Sequence, residues 1–136
     1  MLALRREEPA LRHDRWFQHA PCAPGERSLA WLTPSGHVMQ VHDWHDAGQH
    51  AFACRINASP GQAPGNEPGC SHLLIAFNPE ATTLRFTLPP GHWQVALDSG
   101  NEFAAGHRPA AHQALAVPAH ALVVLRDTAL PDAPGA

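Results

Sequence analysis

The side chains best suited to chemistry form one short cluster, His42-Asp43-Trp44-His45-Asp46, with His50 and Cys54 downstream. Imidazole, carboxylate and thiolate groups are the usual ligands of zinc, so a metal site is the first interpretation of this cluster. Two observations favour an ordinary solvated turn instead. The chain has 11 histidines, so close pairs arise by chance, and on a strand His42 and His45 would point to opposite faces. We therefore predict that this segment holds no metal.

The aromatic side chains that could stack on a sugar ring are Trp16, Trp31, Trp44 and Trp93. Such stacking uses the flat apolar face of the ring. A tryptophan within a strand is more often a core residue, so we expect Trp31 and Trp93 to pack in the core. Trp44 adjoins a charged turn, and packing is the expectation there as well.

Three cysteines, Cys22, Cys54 and Cys70, lack the histidine partner that would make any of them a nucleophile. They are interpreted as small apolar residues. An odd number cannot pair completely within one chain, and a chain of this size can build a core without disulfides. We expect free thiols and a reducing cytoplasm.

Length and charge exclude several classes of protein. The 136 residues suit one domain. The nine basic residues are all arginines, scattered in a chain with a formal net charge of −3, which does not form a nucleic-acid-binding face. No apolar run approaches the ~18 residues of a membrane helix, and charges at Arg5 and Arg6 interrupt any secretory signal. A soluble protein is expected.

The pattern of residues predicts a short helix followed by strands. Helix-forming residues 2–8 end at Pro9, and a Pro/Gly-rich link at 20–26 precedes the first strand. Alternation and turn residues predict eight strands at 29–33, 37–41, 51–57, 72–78, 82–88, 93–98, 113–117 and 121–126. We predict an all-β fold, an antiparallel β-sandwich with a short N-terminal helix. Its divisions are a helix and linker at 1–25, the sandwich at 26–128 and a flexible tail at 129–136.

Two hairpins are predicted from turn chemistry, at Pro34-Ser35-Gly36 and at Pro89-Pro90-Gly91. Alternation places Leu84, Phe86 and Leu88 on one face, and Trp93, Val95 and Leu97 on one face of the returning strand. The segments 73–77 and 122–125 are apolar throughout. Such segments are central strands covered on both faces, or on one face by something outside this chain. The polar segment 58–69 should be a mobile surface loop.

Three stretches in order resemble the end of bacterial glycogen debranching enzymes of the isoamylase type, in the α-amylase superfamily. They are Leu4-Arg5-Arg6 with Pro9-Ala10-Leu11-Arg12, then Arg15-Trp16-Phe17-Gln18, then Ala30-Trp31-Leu32-Thr33-Pro34-Ser35-Gly36-His37-Val38-Met39 with Asp43-Trp44. The strands at 73–78, 86–90 and 122–125 fit the same domain. Family members usually carry a longer acidic loop at 59–69, and an aspartate is common at Ser35. The resemblance covers nearly the whole chain.

The resemblance implies that residues 1–25 contain the end of the last helix of a catalytic barrel and that the sandwich follows it. In the family, a pair of carboxyl groups on that barrel hydrolyses α-1,6 branches of glycogen. None of the 12 acidic residues here matches a catalytic motif of the family. We therefore expect no catalytic, cofactor-binding or metal-binding residue in this chain, with the catalytic barrel as its partner and glycogen or limit dextrin reached through the parent enzyme.

Two alternatives to a structural accessory domain stay open. The first is a glucan-binding module that contacts substrate directly, and the second is a metal-binding protein that uses the histidine cluster. A barrel helix without its barrel would also leave apolar residues unpaired, namely Leu2, Leu4, Leu11, Trp16 and Phe17. We expect these residues to dock on a second copy, fold back on their own sandwich or stay mobile, with docking on a copy favoured.

Overall fold

The computed structural model describes residues 2–8, 11, 29–58, 71–104, 106–109 and 114–128. Its two helices and seven strands, counted within these residues, are α1 (Leu2–Glu7), β1 (Leu29–Leu32), α2 (Val41–Trp44), β2 (Phe52–Ala58), β3 (Ser71–Asn78), β4 (Leu84–Thr87), β5 (Trp93–Asp98), β6 (Ala114–Val117) and β7 (Ala121–Asp127). The strands form a large antiparallel sheet in the order β1-β2-β3-β7-β5 and a small one, β4-β6. The predicted all-β sandwich with a short N-terminal helix is confirmed.

The main core lies between the two sheets. Because side chains alternate across a strand, every second residue of the large sheet faces the small one. Phe86 of β4, with Leu115 and Val117 of β6, fills the space from the other side. The apolar pattern predicts that Phe86, Trp93, Val95, Val123 and Leu125 are mostly buried, and all five are buried in this core. Each such side chain contributes about 1.5–3 kcal/mol on leaving water.

The large sheet has a second apolar face, which we call the outer face. The strands β3 and β7 are central in the sheet, as their apolar sequences predict. Their outward residues are Leu73, Ile75, Phe77, Leu122 and Val124, which belong to a separate apolar cluster. We expect from the sequence that Ile75 is mostly buried, but it is only half-buried, because it faces away from Leu74 and lies on the outer face.

The helix α1 covers one part of the outer face. Its Leu4 is only 5% exposed, and Leu11 packs against the same cluster. Arg126 of β7 ties the helix down, with 3.3 Å from Nη2 to Glu7 Oε2 and 3.3 Å from Nη1 to Glu8 Oε1. The N-terminal apolar residues Leu4 and Leu11 thus fold back on their own sheet, while association with a second copy stays a prediction.

Several predictions concern residues that the structure does not describe. Trp16 and Phe17, the loop at 59–69 and the tail at 129–136 all lie outside the described residues. Within the described residues, no helix is long and apolar enough to cross a membrane.

One of the eight predicted strands, at 37–41, is wrong. The turn before it forms as predicted: the Gly36 N–H donates to Thr33 O over 2.9 Å, and Gly36 has a φ of +90°. Pairing then continues only as a single bridge between Leu32 and Val38. The chain enters α2 instead, because Asp43 Oδ2 accepts a 2.8 Å hydrogen bond from the Gln40 N–H and so caps the first turn.

The second predicted hairpin is also wrong. β4 pairs with β6 and β5 pairs with β7, so Pro89-Pro90-Gly91 carries the chain from the small sheet to the large one. Trp93 Nε1 donates to Pro89 O over 2.7 Å, which holds this crossing in place. Turn residues indicate that the chain changes direction, but they do not determine which strands pair afterwards.

A register shift in β5 overturns the predicted shared face of Trp93, Val95 and Leu97. The shift lies between Val95 and Leu97 in the pairing with β7. Trp93 and Val95 therefore pack in the inner core, whereas Leu97 packs in the outer-face cluster. One extra residue in a strand moves every later side chain to the opposite face.

Asn78 connects the end of β3 to the small sheet. Its side chain is almost fully buried, and its Nδ2 donates to the carbonyl oxygens of Thr82, Val117 and Pro118 over 2.9, 3.0 and 2.9 Å. Its Oδ1 accepts a 3.0 Å hydrogen bond from the Glu80 N–H. The two N–H donors of this amide are shared among three carbonyl oxygens, and its oxygen accepts a fourth hydrogen bond, so one side chain links four backbone groups where the two sheets meet.

We predict that Asn78→Ala lowers the free energy of unfolding by about 2–4 kcal/mol, because the substitution leaves buried backbone groups without partners. Urea denaturation followed by circular dichroism measures the loss. The matched control is Gln94→Ala, which removes one exposed amide hydrogen bond to Gly106 O and should cost less than about 0.5 kcal/mol. Equal losses in the two variants would contradict the role of Asn78.

Candidate functional site

Four aromatic rings gather on the outer face at the end of the sheet near β1. We call this group the aromatic cluster; it contains Trp31, Trp44, Phe52 and Phe77. Ring centroids lie 5.7 Å apart for Trp31 and Trp44, 5.7 Å for Trp31 and Phe52, and 4.9 Å for Phe52 and Phe77. These separations are those of favourable aromatic pairs. The cluster is the most distinctive surface feature of the described residues.

Strand register and a short helix place these four rings together. Phe52 and Phe77 are directly opposite each other on β2 and β3. Trp31 is opposite Cys54, two residues along β2 from Phe52 and therefore on the same face. Trp44 comes from α2, and the cap provided by Asp43 fixes where that helix begins.

The aromatic cluster is open to solvent. The side chain of Trp31 is 37% exposed and that of Trp44 is 51% exposed, although both rings contact other members of the cluster. The prediction that Trp31 is a core residue is wrong, because the small sheet covers only the opposite face. Trp93, by contrast, is buried in the inner core as predicted. Trp44 packs on Trp31 but keeps half of its surface free.

The histidine cluster does not converge on one point. The Asp43 carboxylate caps α2 through one oxygen and lies 3.4 Å from His42 Nε2 through the other. His50 Nδ1 lies 2.8 Å from Glu80 Oε1, and Asp46 Oδ1 accepts from the Gly48 N–H. Over the described ranges, no group of three His, Cys, Asp or Glu side chains could hold a metal ion.

Carboxylates that might suggest catalysis hold turns instead. Asp98 is the clearest case: its Oδ1 accepts from the Gly100 N–H over 2.8 Å, and its Oδ2 accepts from Glu102 and Phe103 over 2.7 and 3.0 Å. Asp127 Oδ1 accepts from the His92 N–H over 3.1 Å. Sequence analysis did not assign these roles, although the spacing Asp98-Ser99-Gly100 is a recognisable Asx-turn signal.

Cys54 is a free thiol buried in the outer-face cluster. Burial raises the pKa of this thiol from 9.0 to about 11. Because the thiolate is the nucleophile, a thiol that stays protonated at neutral pH is inert. The interpretation of Cys54 as a small apolar residue is therefore supported, while Cys22 and Cys70 lie outside the described residues.

The raised pKa of Cys54 predicts a loss of stability at high pH. The unfolded thiol ionises near pH 9.0, while the folded one stays protonated up to about pH 11. The free energy of unfolding is therefore unaffected below pH 9 and falls towards pH 11, by about 1–3 kcal/mol. The chain has no lysine or tyrosine to titrate in this range. Urea denaturation at pH 8, 9, 10 and 11 measures the fall.

The control for this measurement is Cys54→Ala. It should be less stable at pH 8 but lose distinctly less stability between pH 9 and pH 11 than the parent chain. The same pH dependence in both proteins would show that another group causes it.

The architecture defines a class, the small β-sandwich domains that carry an apolar outer surface. Comparison with known proteins makes this specific, because the family described as Isoamylase, C-terminal matches residues 28–124. This chain belongs to that family.

Relatives over most of the chain agree with this assignment. A "Glycogen operon protein GlgX homolog" of Mycobacterium tuberculosis is 30% identical over 135 positions, covering 92% of this chain and 19% of the relative. A "Glycogen debranching enzyme" of Serratia proteamaculans is 26% identical, covering 92% and 15%. An "Isoamylase" of Pseudomonas amyloderamosa is 29% identical, covering 65% and 10%. The chain spans less than a fifth of the length of these relatives.

Proposed function

We propose that this chain is the non-catalytic C-terminal domain of a debranching enzyme whose intact form hydrolyses α-1,6 branches in glycogen. The observation that carries the proposal is the unequal coverage of the alignments, which include most of this chain but only a small part of each relative. Alignment covers 92% of this chain but only 19% and 15% of two relatives, one named for the glycogen operon and one for glycogen debranching. The remaining four fifths of such a protein is ample for a catalytic domain.

The chemistry of the reaction supports the same division of labour. A retaining glycosidase places two carboxyl groups about 5–5.5 Å apart on either side of the bond. In the α-amylase superfamily, which this chain resembles, they stand on a (β/α)8 barrel, a fold of about 250 residues. Here Asp43, Asp98 and Asp127 accept backbone hydrogen bonds, while Glu7 and Glu8 pair with Arg126. These carboxylates contribute to the stability of the sandwich.

The proposed partner is the catalytic barrel of the parent enzyme, and glycogen or limit dextrin is reached through that barrel. In this role the sandwich stabilises the barrel and limits the approach of substrate. The proposed setting is the cytoplasm, which the buried free thiol of Cys54 suits. The division into 1–25, 26–128 and 129–136 stays a prediction.

A glucan-binding module is the second candidate. The observation in its favour is the exposure of two indole rings, Trp31 and Trp44, in a family of glucan-related enzymes. Metal binding has less support, since His50 faces Glu80 and Asp43 caps a helix.

We expect the purified 136-residue chain to release no reducing ends from glycogen or limit dextrin above a protein-free blank. The physical reason is that no catalytic pair of carboxyl groups can be assigned: Asp43, Asp98 and Asp127 accept backbone hydrogen bonds, and Glu7 and Glu8 pair with Arg126. A reducing-sugar assay over several hours measures the release. The debranching enzyme of Serratia proteamaculans, assayed in parallel, serves as the positive control. Release by the chain alone that survives repeated purification would overturn the proposal.

A further inference from the structure

We propose that the aromatic cluster is the surface on which the catalytic segment of the same polypeptide docks, upstream of α1. This inference rests on the proposed function and assigns to it a specific surface of this domain. Its central residues are Trp31, Trp44, Phe52 and Phe77.

The outer face consists of three rows of side chains across the strands. Register places Leu29, Ile56, Leu73 and Arg126 in the first row, Trp31, Cys54, Ile75, Val124 and Leu97 in the second, and Phe52, Phe77 and Leu122 in the third. The apolar rows continue without interruption from Arg126, where α1 is tied, to the aromatic cluster. They form one continuous apolar surface.

Burial is greatest next to α1 and lowest around the aromatic cluster, where Trp31 of the second row is 37% exposed. Ile56 and Leu73, next to α1, are buried, as are Cys54 and Val124 in the second row. All three residues of the third row are only partly buried, and Trp44 above them is half exposed. The helix α1 thus covers only part of the apolar outer face.

The position of α1 indicates what completes this cover. It is the first described element of the chain, and it lies on the outer face through Leu4 and the Arg126 ion pairs. A polypeptide segment that precedes α1 therefore reaches the domain at this face, beside the uncovered rows. Relatives of this chain are more than five times its length, which supplies such a segment.

Ring geometry favours a protein partner over a glucan chain. The planes of Trp31 and Trp44 meet at 77°, and those of Trp31 and Phe52 at 65°, so the edge of one ring covers the face of the next. Sugar stacking needs a free flat ring face, and this edge-to-face packing restricts access to the ring faces. Val41, one helical turn before Trp44, is 74% exposed and offers only apolar surface. An irregular apolar surface of this kind is typical of protein interfaces.

Oxidative footprinting tests the proposal in two proteins, the 136-residue chain alone and the full-length polypeptide with its upstream catalytic segment. We expect Trp31 and Trp44 to be oxidised in the chain alone. In the full-length protein, their rates should fall at least about fivefold, as a half-exposed ring becomes buried. Buried Trp93 should stay unmodified in both, and exposed His120 should react equally in both.

A pair of variants gives an independent measurement. Trp44→Ala should lower the melting temperature of the sandwich more in the full-length protein than in the chain alone, because it removes a contact that only the longer protein makes. The matched control is Arg85→Ala, an exposed residue on β4 of the small sheet, which should change neither protein.

Each other outcome overturns the docking proposal. Equal oxidation of Trp31 and Trp44 in both proteins would show an uncovered surface. Protection in the chain alone that rises with its concentration would assign the surface to a second copy, and protection by added maltoheptaose would assign it to a glucan. Activity decides the proposed function separately: a full-length protein that protects both tryptophans but does not debranch glycogen refutes the function and leaves the docking surface standing.

Discussion

The structure depends on one constraint: the large sheet is apolar on both faces, and the small sheet covers only one of them. Burying apolar surface contributes about 25 cal/mol per Å², so both faces gain by leaving water. The inner face does so against Phe86, Leu115 and Val117 of β4 and β6. The outer face has α1 over its first row and water over much of its third.

The two faces of the large sheet therefore have different roles. The inner core makes the sandwich a stable unit, and Arg126 holds α1 against the outer face through Glu7 and Glu8. In the docking that we propose, the same helix directs the preceding polypeptide towards the aromatic cluster. In the proposed role, the domain is a rigid surface for a larger partner, and its chemical groups need not be arranged around a substrate.

The polar side chains likewise stabilise the fold. Asn78 joins the two sheets through backbone carbonyls, Asp98 organises the turn after β5, and Asp43 begins α2. Each of these groups could in principle serve catalysis, but each is engaged in satisfying backbone N–H or C=O groups. A small sandwich has many strand ends, and every end leaves backbone groups that need partners. These three side chains are thus accounted for by the fold.

The sequence by itself determined the class of fold, the positions of most strands and the turn at Gly36, because periodicity and turn chemistry are local, and its motifs carried the resemblance to the family. It also indicated, through residues 73–77 and 122–125, that the central strands are apolar on both faces. Only the tertiary structure decided that β4 pairs with β6, that β5 shifts register after Val95 and that Trp31 lies on the uncovered face. Strand pairing depends on contacts between residues far apart in the chain, and a shift of one residue reverses a face. Alternation tells which side chains share a face, but only packing decides which face is covered.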